Sequence, residues 1–251
     1  LGNSPDPIDL MEKYGAGGLR FGLMRIAPVG SDIRFGESSV EEGRNLANKL
    51  YNAWRFRKMA GEEVQLLETF TDLPVYHLHI MAKLDELSAE LEALYEDYRF
   101  GEISQRLYEF LWSEFCDRFL EAVKLDLRET ATPAERAATL GTFDTVMSRF
   151  LQLLHPYMPH VTEELSLNMG YIGEGEFLMQ AELPEEPVLA GLSSEDISAE
   201  QGKASAIYET AGRVRNLKAE YNVAPRRDVK LVVKAAVEWL DEEKPVLALL
   251  C

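Results

Sequence analysis

Phe56 sits among residues that do not usually surround a core aromatic. On a helical wheel drawn through Arg44–Met59, Asn45, Lys49, Asn52 and Phe56 share one face, bordered by Arg44 and Arg55. Leu46, Ala47, Leu50, Ala53 and Trp54 gather on the other side as a core-facing stripe, and Arg57 fits neither face. Lysine and arginine hold phosphate, an aromatic ring stacks on an unpaired base, and asparagine bonds to base edges or sugar. The set therefore describes a surface for single-stranded RNA. A second helix lying over Phe56 would produce the same pattern, and the wheel alone leaves both readings open.

Other chemistry-bearing groups are less coherent. His155, His160, Glu163 and Glu164 are metal-ligand types, but Pro156 and Pro159 break the register that a helical site needs. They read as a turn between helices. His77 and His79 fall on different faces of a helix, and Glu86, Glu90 and Glu92 form a solvated face. No phosphate loop, nucleophile elbow or dinucleotide fingerprint occurs. The expectation is a chain with no catalytic set and no metal site.

The elements that must position the basic face are mostly helical. Asp6 and Pro7 predict a cap and first turn for a helix over Ile8–Tyr14, with another from about Gly18 to Ala27. Ser38 or Ser39, with Glu41 or Glu42 three residues on, predicts a capping box for a helix ending before Gly61. Further helices are expected over Pro74–Arg99, Ser104–Thr130, Thr132–His155 and His160–Asn168. After an acidic Gly- and Pro-containing connector at 170–200, a long helix runs from Ser194 to Tyr221. Asp228–Val233 predicts the one strand, followed by a helix near Val237–Lys244. The fold class expected is mainly α, a helix bundle with a small, truncated α+β appendage at the C-terminus. Its divisions are 1–36, a connective segment; 37–190, the bundle; and 191–251, the long helix with the partial α+β unit.

Among the 251 residues, 46% are hydrophobic and 27% charged, which supports a sizeable core. No apolar run approaches the ~18 residues of a membrane span, and the first residues have no secretory pattern. Cys116 and Cys251 are too few for a disulfide framework, so a reducing, cytoplasmic setting is expected. Lys plus Arg number 26 against 43 Asp plus Glu, a net charge of −17 that argues against non-specific nucleic-acid binding. The charge is nevertheless segregated. Arg44–Lys58 holds five basic residues and no acid, Arg213–Lys234 holds seven against Glu220 and Asp228, and Glu174–Glu200 holds eight acids and no base.

Several collinear blocks carry a family resemblance: LGNSPDPIDLMEKYGAGGLRFGL, SDIRF, RNLANKLYNAWRF, FCDRFLEAVK, LLHPYMPHVTEEL and RVRNLKAEYNVAP. Together they resemble class I aminoacyl-tRNA synthetases of the valyl type. The resemblance implies that the catalytic fold, its two signature motifs and the editing domain precede this chain, and that a coiled-coil arm follows it. It therefore implies an excised anticodon-binding region, inactive alone, whose parent enzyme uses ATP and Mg2+. The partner implied is the tRNA(Val) anticodon stem-loop, with Lys49, Arg55 and Phe56 at the positions that meet anticodon bases. Gly17 replaces a usual Asp, Ser166 replaces a Trp, and the stretch Tyr76–Ile80 departs from the family pattern. The competing expectations are the same module from an isoleucyl-type enzyme, a helical scaffold for protein partners, and a metal enzyme built on His155 and His160. A monomer is expected, because no coiled-coil seam is present.

Overall fold

The computed structural model describes residues 5–27, 35–61, 63–67, 70, 73–183, 186–224, 229–234 and 238–251. It is a helix bundle. In order run α1 (Pro7–Arg25), α2 (Glu37–Ala60), α3 (Val75–Glu96) and α4 (Phe100–Glu109), which passes into a π-helical stretch (Phe110–Phe119) and a last turn, α5 (Leu120–Ala122). Then come α6 (Pro133–Leu154), α7 (Pro159–Met169), α8 (Ser194–Glu220) and α9 (Lys244–Leu250).

Local chemistry sets most of the starts. Asp6 caps α1, its Oδ1 accepting from the Ile8 N–H at 2.8 Å, and Pro7 supplies the first turn. The two N-terminal helices expected from sequence join as one, kinked where Gly15 adopts φ 79° and ψ 154°. Thr132 and Glu135 form a reciprocal capping box that opens α6. The box expected at Ser38 or Ser39 is not formed. Gly36 takes the cap position of α2, and the Ser39 hydroxyl donates to the Gly36 carbonyl at 2.8 Å instead. The helix expected from Ser104 to Thr130 begins earlier, at Phe100, and ends at Ala122.

α1 and α2 meet backbone to backbone. A Cβ on Gly22 would lie 2.6 Å from the Ser39 carbonyl oxygen, and one on Gly43 would lie 2.5 Å from that of Gly18. Only glycine permits this approach. Around the pair, one apolar cluster runs from Phe21 through Leu46, Leu50, Ile80, Phe115, Phe143 and Phe150 to Leu250. Each such side chain contributes about 1.5–3 kcal/mol by leaving water.

Arg57, the residue that fitted neither face of the wheel, is fully buried against Asp144 of α6. Its Nε and Nη2 donate to the two carboxylate oxygens at 3.0 and 2.6 Å, and Nη1 and Nη2 donate to the Gly61 and Glu63 carbonyls at 2.6 Å each. Asp144 also accepts from the Gln65 N–H and the Tyr171 hydroxyl, both at 2.8 Å. A buried charge pair is tolerable only when its lone pairs and protons are matched, as they are here. The network fastens the C-terminal end of α2 to α6 and to the connection that follows.

The strand expected over Asp228–Val233 is corrected. Asp228 lies outside the described residues, and 229–234 run without regular pairing. A strand needs another strand to hydrogen-bond, and the described residues contain none. Val229, Leu231, Val232 and Val233 are consequently exposed. The helix expected near Val237–Lys244 is a 3-10 turn over Glu238–Asp241, after which α9 begins.

Candidate nucleic-acid interface

α2 is amphipathic in three sectors rather than two. Its glycine and aliphatic positions, Val40, Gly43, Leu46, Leu50 and Ala53, are buried. Asn48, Tyr51, Asn52, Arg55 and Met59 face solvent, with Tyr51 48% and Met59 84% exposed. Between these sectors a flank carries Asn45, Lys49 and Phe56, all half-buried. Phe56 follows Lys49 by two helical turns, so the pair keeps one angular position.

The flank at Lys49 meets the π-helical stretch. Lys49 Nζ donates to Asp117 Oδ1 at 2.8 Å and lies 4.6 Å from the centroid of the Trp112 ring. The Trp112 ring stacks on Tyr108, with centroids 5.3 Å apart and an interplanar angle of 11°. Arg25 covers the Tyr108 ring at 4.6 Å and pairs with Glu42 at 2.5 Å. Two cations thus lie against one aromatic pair, each with its own carboxylate. Burial, with the Glu42 charge adding to it, pushes the Tyr108 phenol above its usual range. Cys116 lies beside this array. Burial pushes its thiol up to about 12 although Lys49 pulls the other way.

The residues picked out by the wheel therefore divide. Asn52 and Arg55 stand in solvent on one strip. Arg44 pairs with Glu41 at 3.2 Å and lies 5.4 Å from the Tyr14 ring, at the α1 junction. Asn45 is half-buried, and Lys49 is tethered. Phe56 packs against the main apolar cluster and is half-buried, as a covering neighbour would make it. Three side chains outside the wheel's set border these residues: Tyr51, whose ring lies 5.0 Å from Trp54, and Trp112 and Asp117 from the π-helical stretch. Tyr51 borders Arg55 on the wheel, which is a usable signal. Trp112 and Asp117 come from a distant segment and leave none.

Two of the histidines tie the helices together. His155 Nδ1 bonds to the Thr162 hydroxyl at 2.8 Å, fixing the turn into α7. His77 bonds to Thr142 at 2.8 Å beside Asp126, which also accepts from the Tyr76 hydroxyl at 2.7 Å. Among the described residues no three His, Cys, Asp or Glu side chains converge as metal ligands, and no helix is long and apolar enough to cross a membrane.

Residues 77–233 match the family model described as the anticodon-binding domain of tRNA ligase. The chain is 36% identical over its whole length to a valine–tRNA ligase of Parabacteroides distasonis, covering 27% of that protein. It is 42% identical over 188 residues to that of Porphyromonas gingivalis, covering 74% of this chain and 20% of the relative. It thus spans roughly a quarter of the length of these relatives. The methionyl-tRNA synthetase of Mycobacterium tuberculosis has a similar fold, with TM-score 0.51 and 19% identity over 64% of this chain and 34% of that one. With its bundle and more than half its residues matched by the model, the chain belongs to the anticodon-binding domain family of tRNA ligases.

Proposed function

We propose that this chain is the anticodon stem-loop module of a valine–tRNA ligase, placing tRNA(Val) for a catalytic region elsewhere in the polypeptide. The observation that carries the reading is α2: a solvent strip of Asn52, Arg55 and Tyr51 beside a flank that offers Lys49 and half-open Phe56. The strip supplies phosphate and sugar contacts that set register, and the Phe56 ring stacks on an unpaired base. Identity to valine–tRNA ligases along the whole chain favours valine over an isoleucyl-type parent. The protein acts in the cytoplasm as a monomer. ATP and Mg2+ would act in that catalytic region.

The test is fluorescence anisotropy of a labelled valine anticodon stem-loop, with a scrambled-anticodon loop as competitor. Preference for the valine loop is expected. Phe56→Ala should cost about 1–3 kcal/mol of binding, roughly 5- to 150-fold in Kd. Lys49→Glu should abolish the preference. Equal binding of both loops, or a Phe56→Ala effect within error, refutes the reading.

A further inference from the structure

We propose that Lys49 and Asp117 form a subsite that reads the edge of one unpaired RNA base, and that Asp117 confers selectivity by withholding Lys49 from phosphate. This deepens the anticodon reading above and rests on it.

The π-helix makes the arrangement possible. In an α-helix, residues five apart are turned about 140° from one another. The i→i+5 bonding of the π-helix brings them to one side instead. Trp112 and Asp117 are five apart, and both reach the same ammonium group, the ring at 4.6 Å and the carboxylate at 2.8 Å. Lys49 is held from two directions, with its side chain 26% exposed, while Asp117 is 53% exposed.

A held pair behaves differently from a free lysine. Its net charge is zero, so it draws in phosphate weakly. A phosphate that reached Lys49 would have to displace the carboxylate or sit beside it. The ammonium has three donors and Asp117 takes one, which leaves donors for an incoming acceptor. The second carboxylate oxygen of Asp117 can accept. A Watson–Crick edge offers an N–H beside an acceptor nitrogen or oxygen and satisfies both partners at once. A phosphate carries no donor and satisfies only one. The pair therefore favours base over backbone, a repulsive element built against the wrong contact. Asp117 is a specificity-determining residue and Trp112 a positioning one.

Asp117→Asn tests this against Glu92→Gln, which removes one exposed negative charge from α3. Binding of the valine and scrambled stem-loops is measured over a range of salt, with circular dichroism checking the fold. In Asp117→Asn the freed Lys49 should tighten scrambled-loop binding about 3- to 10-fold and steepen the slope of log K against log salt by about 0.7–0.9, so the preference shrinks. Glu92→Gln should shift both loops alike and keep the preference. If the two variants behave identically, or if Asp117→Asn leaves preference and slope unchanged, the subsite is refuted while the anticodon reading stands. A wild-type chain that binds neither loop refutes both.

Discussion

Replacing Arg57 with alanine should destabilise the protein severely, by an amount the network itself bounds. The guanidinium is 1% and the Asp144 side chain 0% exposed, so solvent cannot replace what is lost. Asp144 accepts four hydrogen bonds, two of them from Arg57. Arg57→Ala leaves a buried carboxylate without its counter-charge and two carbonyls, Gly61 and Glu63, without donors. Breaking a buried pair in this way costs about 3–5 kcal/mol. For a chain of this length, that is a fall in Tm of roughly 6–20 °C. Removing both charges is a different perturbation. Arg57→Met with Asp144→Leu should be less destabilised than either Arg57→Ala or Asp144→Ala, because no charge is then stranded. Urea unfolding followed by circular dichroism at constant pH measures each variant. A loss below about 1 kcal/mol for Arg57→Ala, or a double variant as unstable as the summed singles, would refute the account.

Two further outcomes follow from other parts of the fold. Gly22→Ala forces a methyl to 2.6 Å from the Ser39 carbonyl and should cost about 3 kcal/mol, whereas Gly202→Ala in α8 meets nothing within 4 Å and should gain about 0.5–1 kcal/mol; equal effects in thermal melts would contradict the backbone contact. Burial holds the His77 pKa below its ordinary 6.5, with Asp126 only partly opposing. Below pH 6.5 the unfolded chain takes up a proton that the folded chain refuses. Stability is therefore full above that pH and falls below it by up to about 1.4 kcal/mol per pH unit. His155 is shifted the same way and shares in the loss. Urea titrations at several pH values should give a shallower decline for His77→Gln, and an unchanged slope would remove His77 from the account.

Where the determinant is local, the sequence reveals it. Asp6 with Pro7, and Thr132 with Pro133 and Glu135, carry complete cap chemistry within a few residues, and those helices start as expected. The shared angular position of Asn45, Lys49 and Phe56 on α2 is likewise legible, because its periodicity lies inside one helix. What covers that flank is not. Trp112 and Asp117 arrive from the π-helical stretch by tertiary packing, and a one-helix wheel cannot register a lid supplied from more than fifty residues away. Arg57 looked like noise because its partner, Asp144, is equally remote. The expected strand failed for the related reason that VKLVV satisfies strand propensity while pairing depends on a neighbour that composition does not encode.

The glycine seam between α1 and α2 has a mechanical consequence. Two helices separated by a layer of side chains can slip, because rotamers yield and re-form as the axes move. Here the layer is missing: Gly18, Gly22 and Gly43 leave backbone against backbone, and any slide drives a carbonyl into an α-carbon. The pair is therefore stiff in shear, like a beam glued along its length, with its compliance left to the bend at Gly15. A push on the first turn of α1 is absorbed at that bend. Beyond it, the stretch Ala16–Arg25 is locked to α2 along the seam, so the two helices should move as one body.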